Sequence, residues 1–262
     1  MKKYILILII SLLIAITFIQ IEQSKVKVRF ETLTSNEINE NYRDLKIVYF
    51  SDLYLDQKNF STITKTVSSI NKLDPDIVIF GGNLFLDIND SKNTDIIKDN
   101  VSTLLKDINA KLNKYAILGS NDTTNTKDIL FNSNFEIITN KTINIKENNL
   151  TLSFINDSSF KPILNPSTYN IGIYNNPDLY DSYLDSNFDY AIAGKTLGGG
   201  IYIPFFTEVL TKDQKYIKGK HHKSFTLDIT SGLGNNNYNF RLLTDKEIVL
   251  YTISHLEESL NQ

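Results

Sequence analysis

Apolar residues recur along this chain in two periods, and the way those periods alternate predicts the class of fold. Short apolar runs stand at Leu45-Lys-Ile-Val-Tyr-Phe50, Pro75-Asp-Ile-Val-Ile-Phe80, Lys114-Tyr-Ala-Ile-Leu118, Tyr169-Asn-Ile-Gly-Ile-Tyr174 and Phe188-Asp-Tyr-Ala-Ile-Ala193. Runs of this length, stopped by glycine, asparagine or aspartate, read as strands covered on both faces. Between them the spacing turns helical. Ile63, Val67 and Ile70 form a stripe that predicts a helix from a cap at Asn59 to about Asn71. Ile96, Ile97, Val101, Leu104, Leu105 and Ile108 predict a second over Asp95 to Leu112. Shorter helices are expected at Thr126 to Phe131 and at Pro177 to Leu184, the latter opened by proline. Phe135 to Thr139, Thr142 to Lys146 and Leu150 to Ile155 read as strands of a second sheet, with a hairpin turn at Glu147-Asn-Asn149. Ser224 to Thr230 and Glu247 to Ser254 close the chain as strands. Lys25 to Leu33 alternates, with Val26, Val28 and Phe30 on one face, and reads as an edge strand. Strands alternating with helices make this an α/β domain.

One segment fits neither period. Tyr4 to Ile19 is apolar throughout and follows Lys2 and Lys3. Its length is near the roughly 20 residues that cross a bilayer, and the lysines would stay on the cytoplasmic side. Thr17 to Glu22 offers no small-x-small cleavage site, no cysteine is present for a lipid, and no twin arginine precedes the run. The segment therefore reads as an uncleaved signal anchor, a single transmembrane helix with the domain on the extracytoplasmic side of the cell membrane. The expected organisation is an anchor over 1–22, a membrane-proximal strand and connector over 23–43, and one domain over 44–262. A chain of 262 residues with 41% hydrophobic content can bury a sizeable core. A net charge of -3 is too small to imply nucleic acid. Without cysteine there is no disulfide frame, thiolate nucleophile or zinc knuckle.

Candidate chemistry gathers where the strands stop. Ser51-Asp52 ends the first run, Gly81-Gly-Asn83 the second, Gly119-Ser-Asn-Asp122 the third, Asn175-Asn-Pro-Asp178 the fourth and Gly194-Lys-Thr-Leu-Gly-Gly-Gly200 the fifth. In open α/β sheets that edge is where ligands bind. The order and spacing of these loops resemble the calcineurin-like metallophosphoesterases, in particular a membrane-associated bacterial branch whose loops read D-x-H, G-D, G-N-H-D, S-H-x-P-D and G-H-T-H-G-G. The resemblance runs from about Asp44 to the C-terminus. It implies a four-layer αββα sandwich of two mixed sheets.

The same resemblance implies a site with its chemistry removed. In the family two divalent cations polarise a phosphate and activate a water. Asp52 stands at the first ligand position, but Tyr54 replaces its partner histidine and Asn83 the bridging aspartate. Ser120 and Asn121 replace the asparagine and catalytic histidine, with Asp122 following; Asn175 replaces the next histidine, and Lys195 and Leu197 the last two. The expectation is a degenerate pocket with no catalytic residue and no metal cofactor, in a pseudoenzyme that serves as a binding or regulatory module for an unknown protein or envelope ligand. The alternative is a weak phosphodiesterase in which Asp52, Asp122 and the asparagines hold one Mg²⁺ or Ca²⁺. Two placements are open to Lys195: its ammonium extends into the space of the lost metals and pairs with Asp52, or it snorkels to water from its loop.

Other features give weaker signals. His221, His222 and His255 lie outside every ligand loop. Ala193-Gly-Lys-Thr196 is no phosphate loop, since Asp189 stands where its first glycine belongs and glycines rather than a helix follow. Gly232-Leu-Gly234 resembles the family's terminal S-R-G-L-G with Ser231 at the arginine. Lys212, Lys215, Lys218, Lys220 and Lys223, with His221 and His222, read as a solvated hairpin or as an anion or lipid-headgroup patch.

Overall fold

The apolar runs pair into two mixed six-stranded sheets that lie face to face. The computed structural model describes residues 25–56, 60–86, 94–203, 214–235 and 241–256, with Thr207 and scattered positions between 3 and 17. The first sheet holds β1 (Val26–Ser35), β2 (Leu45–Phe50), β3 (Ile77–Phe80), β4 (Asn113–Ala116), β5 (Glu136–Ile137) and β12 (Lys246–His255), in the order β1-β12-β2-β3-β4-β5. Only the β12–β2 pair is antiparallel. The second holds β6 (Lys141–Ile145), β7 (Leu150–Ile155), β8 (Tyr169–Tyr174), β9 (Tyr190–Ala193), β10 (Gly219–His222) and β11 (Thr226–Ile229), in the order β10-β11-β9-β8-β7-β6. Its antiparallel pairs, β10–β11 and β6–β7, are at its edges.

The unbroken apolar runs follow from this layering. Ile47 and Tyr49 of β2, with Ile77 and Ile79 of β3, point between the sheets, where they meet Leu152, Phe154, Ile171 and Ile173. The alternate residues Val48, Phe50, Val78 and Phe80 point the other way, onto the helices. Period-two alternation therefore buries every position. The helices on that outer face are α1 (Ser61–Lys72), α2 (Thr94–Lys106) and α3 (Thr124–Asn132). Ile63 and Ile70 of α1 are fully buried there, each contributing about 1.5–3 kcal/mol. The opposite outer face is covered differently. Among the described residues it carries a 3-10 helix, Pro177–Tyr183, and an aromatic cluster in which Tyr180 and Phe225 meet edge-on at 4.7 Å. The expected outer helical layers are thus α-helical on one side and 3-10 on the other.

Several elements differ from expectation. α2 stops at Lys106 rather than Leu112 because tertiary bonds take over the chain: Asn109 N–H donates to the Asn71 side chain at 2.9 Å, and Leu112 N–H to Asp76 O at 2.8 Å. Ile108 stays buried, but from a loop. The strand expected over Phe135 to Thr139 shrinks to β5 and joins the first sheet through β4, not the second. The helix expected over Pro177 to Leu184 is 3-10. The cap at Asn59 lies outside the described residues. So does much of the apolar N-terminal run, whose described positions are helical. Among the described residues no helix is long and apolar enough to cross a membrane.

Candidate functional site

The loops that follow β2, β3, β4, β8 and β9 converge on Asp52. The sheet itself delivers them: Gly81 N–H bonds Phe50 O at 2.8 Å and Asp52 N–H bonds Gly82 O at 2.9 Å, so β2 and β3 stay paired to their ends. Asp52 then turns into the left-handed region, with φ of 55°. Tyr54, Asn83, Lys195 and Leu197 do the same, at 41°, 62°, 78° and 53°. Such backbone costs on the order of 1–3 kcal/mol per residue for bulky side chains and persists only where the surroundings impose it. Five of the nine positions expected in the pocket are held this way.

Asp52 is completely buried, and the chain itself satisfies its carboxylate. Oδ1 accepts from Asn83 Nδ2 at 2.8 Å. Oδ2 accepts from Ser51 Oγ at 2.6 Å and from the Lys195 backbone N–H at 2.7 Å. Two glycines let the backbone close over it. A Cβ on Gly194 would lie 2.6 Å from Oδ2, and one on Gly232, where φ is 62°, would lie 2.8 Å from the Asp52 Cβ. Burial pushes the carboxyl up to about 6, against the downward pull of the Asn83, Ser51 and Lys195 hydrogen bonds and of the Arg241 charge.

The remaining loops lock onto this centre. Asn83 Oδ1 accepts from Asn121 N–H at 3.1 Å. Asn175 Nδ2 donates to Gly81 O at 2.7 Å. Asp122 is a clasp, accepting from the backbone N–H groups of Asn83 at 2.7 Å, Leu84 at 2.9 Å and Gly119 at 2.7 Å; burial raises its pKa. Tyr54 is half-buried and donates its N–H to Asn83 O at 3.1 Å. Ser120 and Asn121 stand exposed at the mouth, joined by a 3.2 Å hydrogen bond. Leu197 is buried in the one-turn 3-10 helix Leu197–Gly199. Asp52, Asn83, Asn121, Asp122 and Lys195 are thus linked by hydrogen bonds, and Asn175 bonds the neighbouring Gly81 carbonyl.

Of the two placements open to Lys195, the ion pair with Asp52 is not the one adopted. The residue reaches Asp52 through its backbone, and among the described residues no ion pair joins its ammonium to that carboxylate. Lys195 itself is half-exposed. The cation that the sequence did not reveal is Arg241. It is completely buried, donates to Gly234 O and, at 2.9 Å and 2.8 Å, to Ser231 O and Asp245 O. Burial lowers its guanidinium to about 10 even though Asp52, Glu247 and Asp245 act to raise it. The basic stretch is largely spent on the protein itself. Lys215 and Lys223 bond Asp181, Lys220 bonds Glu31 at 2.5 Å and Lys218 caps Leu243 O at 3.1 Å, which favours the hairpin reading; Lys212 lies outside the described residues.

A divalent pair does not fit this donor set. Cations need oxygen or imidazole lone pairs turned toward them, whereas N–H and O–H groups point at Asp52 and N–H groups at Asp122. A single Mg²⁺ or Ca²⁺ held by Asp52, Asp122 and the asparagines would compete with the same hydrogen bonds. Among the described residues no group of three His, Cys, Asp or Glu is placed to hold a metal ion.

No family model matches the chain. It is 24% identical over 253 residues to the uncharacterized metallophosphoesterase YkuE of Bacillus subtilis, covering 89% of this chain and 87% of that protein. Among solved structures it matches "GAP50 the anchor in the inner membrane complex of Plasmodium" at 12% identity, over 73% of this chain and 72% of that one, with a TM-score of 0.42, too low to argue from. The loop order read in the sequence and the relative agree: over nearly nine-tenths of its length, the chain is similar to a metallophosphoesterase.

Proposed function

We propose that the chain is a catalytically silent metallophosphoesterase relative, held at the cell membrane by its N-terminal segment and acting outside the cytoplasm as a binding or regulatory module. One observation carries the loss of catalysis. The one carboxylate left at a family ligand position, Asp52, has both oxygens bonded by the chain's own donors and is closed in by Gly194 and Gly232. No water-activating cation has a cage there, and the groups at the mouth, Ser120 and Asn121, are neutral. Hydrolysis of bis-nitrophenyl phosphate tests this. Purified domain supplied with Mn²⁺ is expected to turn over no faster than an Asp52→Ala control; turnover that the control abolishes would establish a phosphodiesterase instead.

The membrane part of the reading draws on the N-terminus. Tyr4, Ile5, Leu6, Ile7, Ile9, Ile10 and Ile14 are helical and exposed, 48% at the least, an apolar surface that suits lipid better than water. Full-length protein is expected in the membrane fraction, with its domain digested by protease added to intact cells. A domain that survives that treatment would refute the orientation.

A further inference from the structure

The chain contains three arginines, Arg29, Arg43 and Arg241, among 27 basic residues. Among the described residues three aspartates are completely buried: Asp52, Asp76 and Asp228. Two of the matches are direct. Arg43 grips Asp76 with both terminal nitrogens, at 2.5 Å and 3.0 Å, and Arg29 Nη1 bonds Asp228 at 2.9 Å. A chain that otherwise uses lysine spends arginine on buried carboxylates, as its planar and weakly hydrated guanidinium permits. Arg241 and Asp52 are the third pair, both fully buried, and they meet less directly.

They meet across a single turn. On one side of Ser231–Gly234, Leu233 and Gly234 N–H donate to Asp52 O at 3.3 Å and 2.6 Å, and Gly232 packs on the carboxylate. On the other side the Arg241 guanidinium holds Ser231 O and Gly234 O. One thickness of backbone separates the two charges, in an interior that screens them weakly. We infer that Arg241 is the internal countercharge of the pocket: from behind the Gly232 turn it supplies the positive charge that a divalent cation in front of Asp52 would supply, so that the centre is neutral without metal. This deepens the metal-free reading above and rests on it.

Equilibrium urea unfolding tests the assignment, with Asp52→Asn measured in the parent, in Arg241→Lys and in Arg241→Gln. A countercharge predicts equal cost in the parent and in Arg241→Lys, which keeps the charge, and a cost in Arg241→Gln smaller by ~10-fold or more in the unfolding constant. An Arg241→Gln chain too unstable to measure should regain a cooperative transition once Asp52→Asn is added. Equal costs in all three backgrounds, Arg241→Lys behaving as Arg241→Gln, or no such recovery would overturn the inference and leave Arg241 as a clamp on the turn. Each series is repeated with Mn²⁺. A parent midpoint that rises with Mn²⁺ would sink the metal-free reading whatever the coupling, so the two failures are distinguishable.

Discussion

At position 52 a carboxylate sits where water does not reach, and its ionisation leaves a signature. Its pKa in the folded chain, about 6, lies above the ordinary 3.8, so the folded state holds the proton more tightly than the unfolded one. Stability from this group is therefore fully present below about pH 4 and is lost as the pH rises through 6. Relative to Asp52→Asn, the parent should gain about 2 kcal/mol on going from about pH 7.5 to about pH 4.5, read by urea unfolding. Parallel pH profiles for the two chains would contradict the burial of an ionised Asp52. Most of this centre was legible in the sequence. Asp52, Asn83, Asn121, Asp122, Asn175 and Lys195 stand just past strand ends, three in the first sheet and two in the second, and hydrogen bonds at Asp52 and Gly81 join the loops of both. What Lys195 does there was not legible, because the choice between its backbone and its ammonium depends on a left-handed turn that no residue type at that position announces. Arg241 was missed since it follows no strand pattern. Its signal was the scarcity of arginine.

Elements with a strong period appear as read, and weak ones were settled by their neighbours. The runs at β2, β3, β8 and β9 are buried on both faces and could be nothing else, whereas β5 has two residues and no pattern to say which sheet it joins. α2 ends where the Asn71 side chain captures Asn109, a contact between segments far apart in sequence. The edge strand β1 shows how such long-range contacts hold an element. Its face toward the second sheet carries Arg29, whose Nη1 bonds Asp228 on β11 at 2.9 Å while Nε lies 3.4 Å from Glu247 on β12. Tyr251 and Tyr190 hydroxyls donate to the same Asp228 oxygen, at 2.7 Å and 3.2 Å. Removing one partner of a buried pair strands the other. Asp228→Ala should cost about 3 kcal/mol and raise amide exchange along Val26–Ser35 ahead of the rest of the first sheet. A loss below about 1 kcal/mol with unchanged exchange in β1 would mean that apolar packing alone docks this strand.

For the whole molecule, the sheets, the loop order and the similarity to a metallophosphoesterase describe a scaffold built to present a site, and the donors around Asp52 describe that site closed on itself. On the function proposed above, fold and function separate at this point, since a scaffold can outlive its chemistry. The glycines that admit the backbone to Asp52, the clasp at Asp122 and the guanidinium behind the turn all tie the loops together. The proposed silent site should therefore hold no metal. Mn²⁺ binding by purified domain, followed by titration calorimetry and by metal content after dialysis, measures it most directly. Well below one ion per chain, with no difference between the parent and Asp52→Ala, is the predicted result; one or two ions per chain that vanish in Asp52→Ala would contradict it.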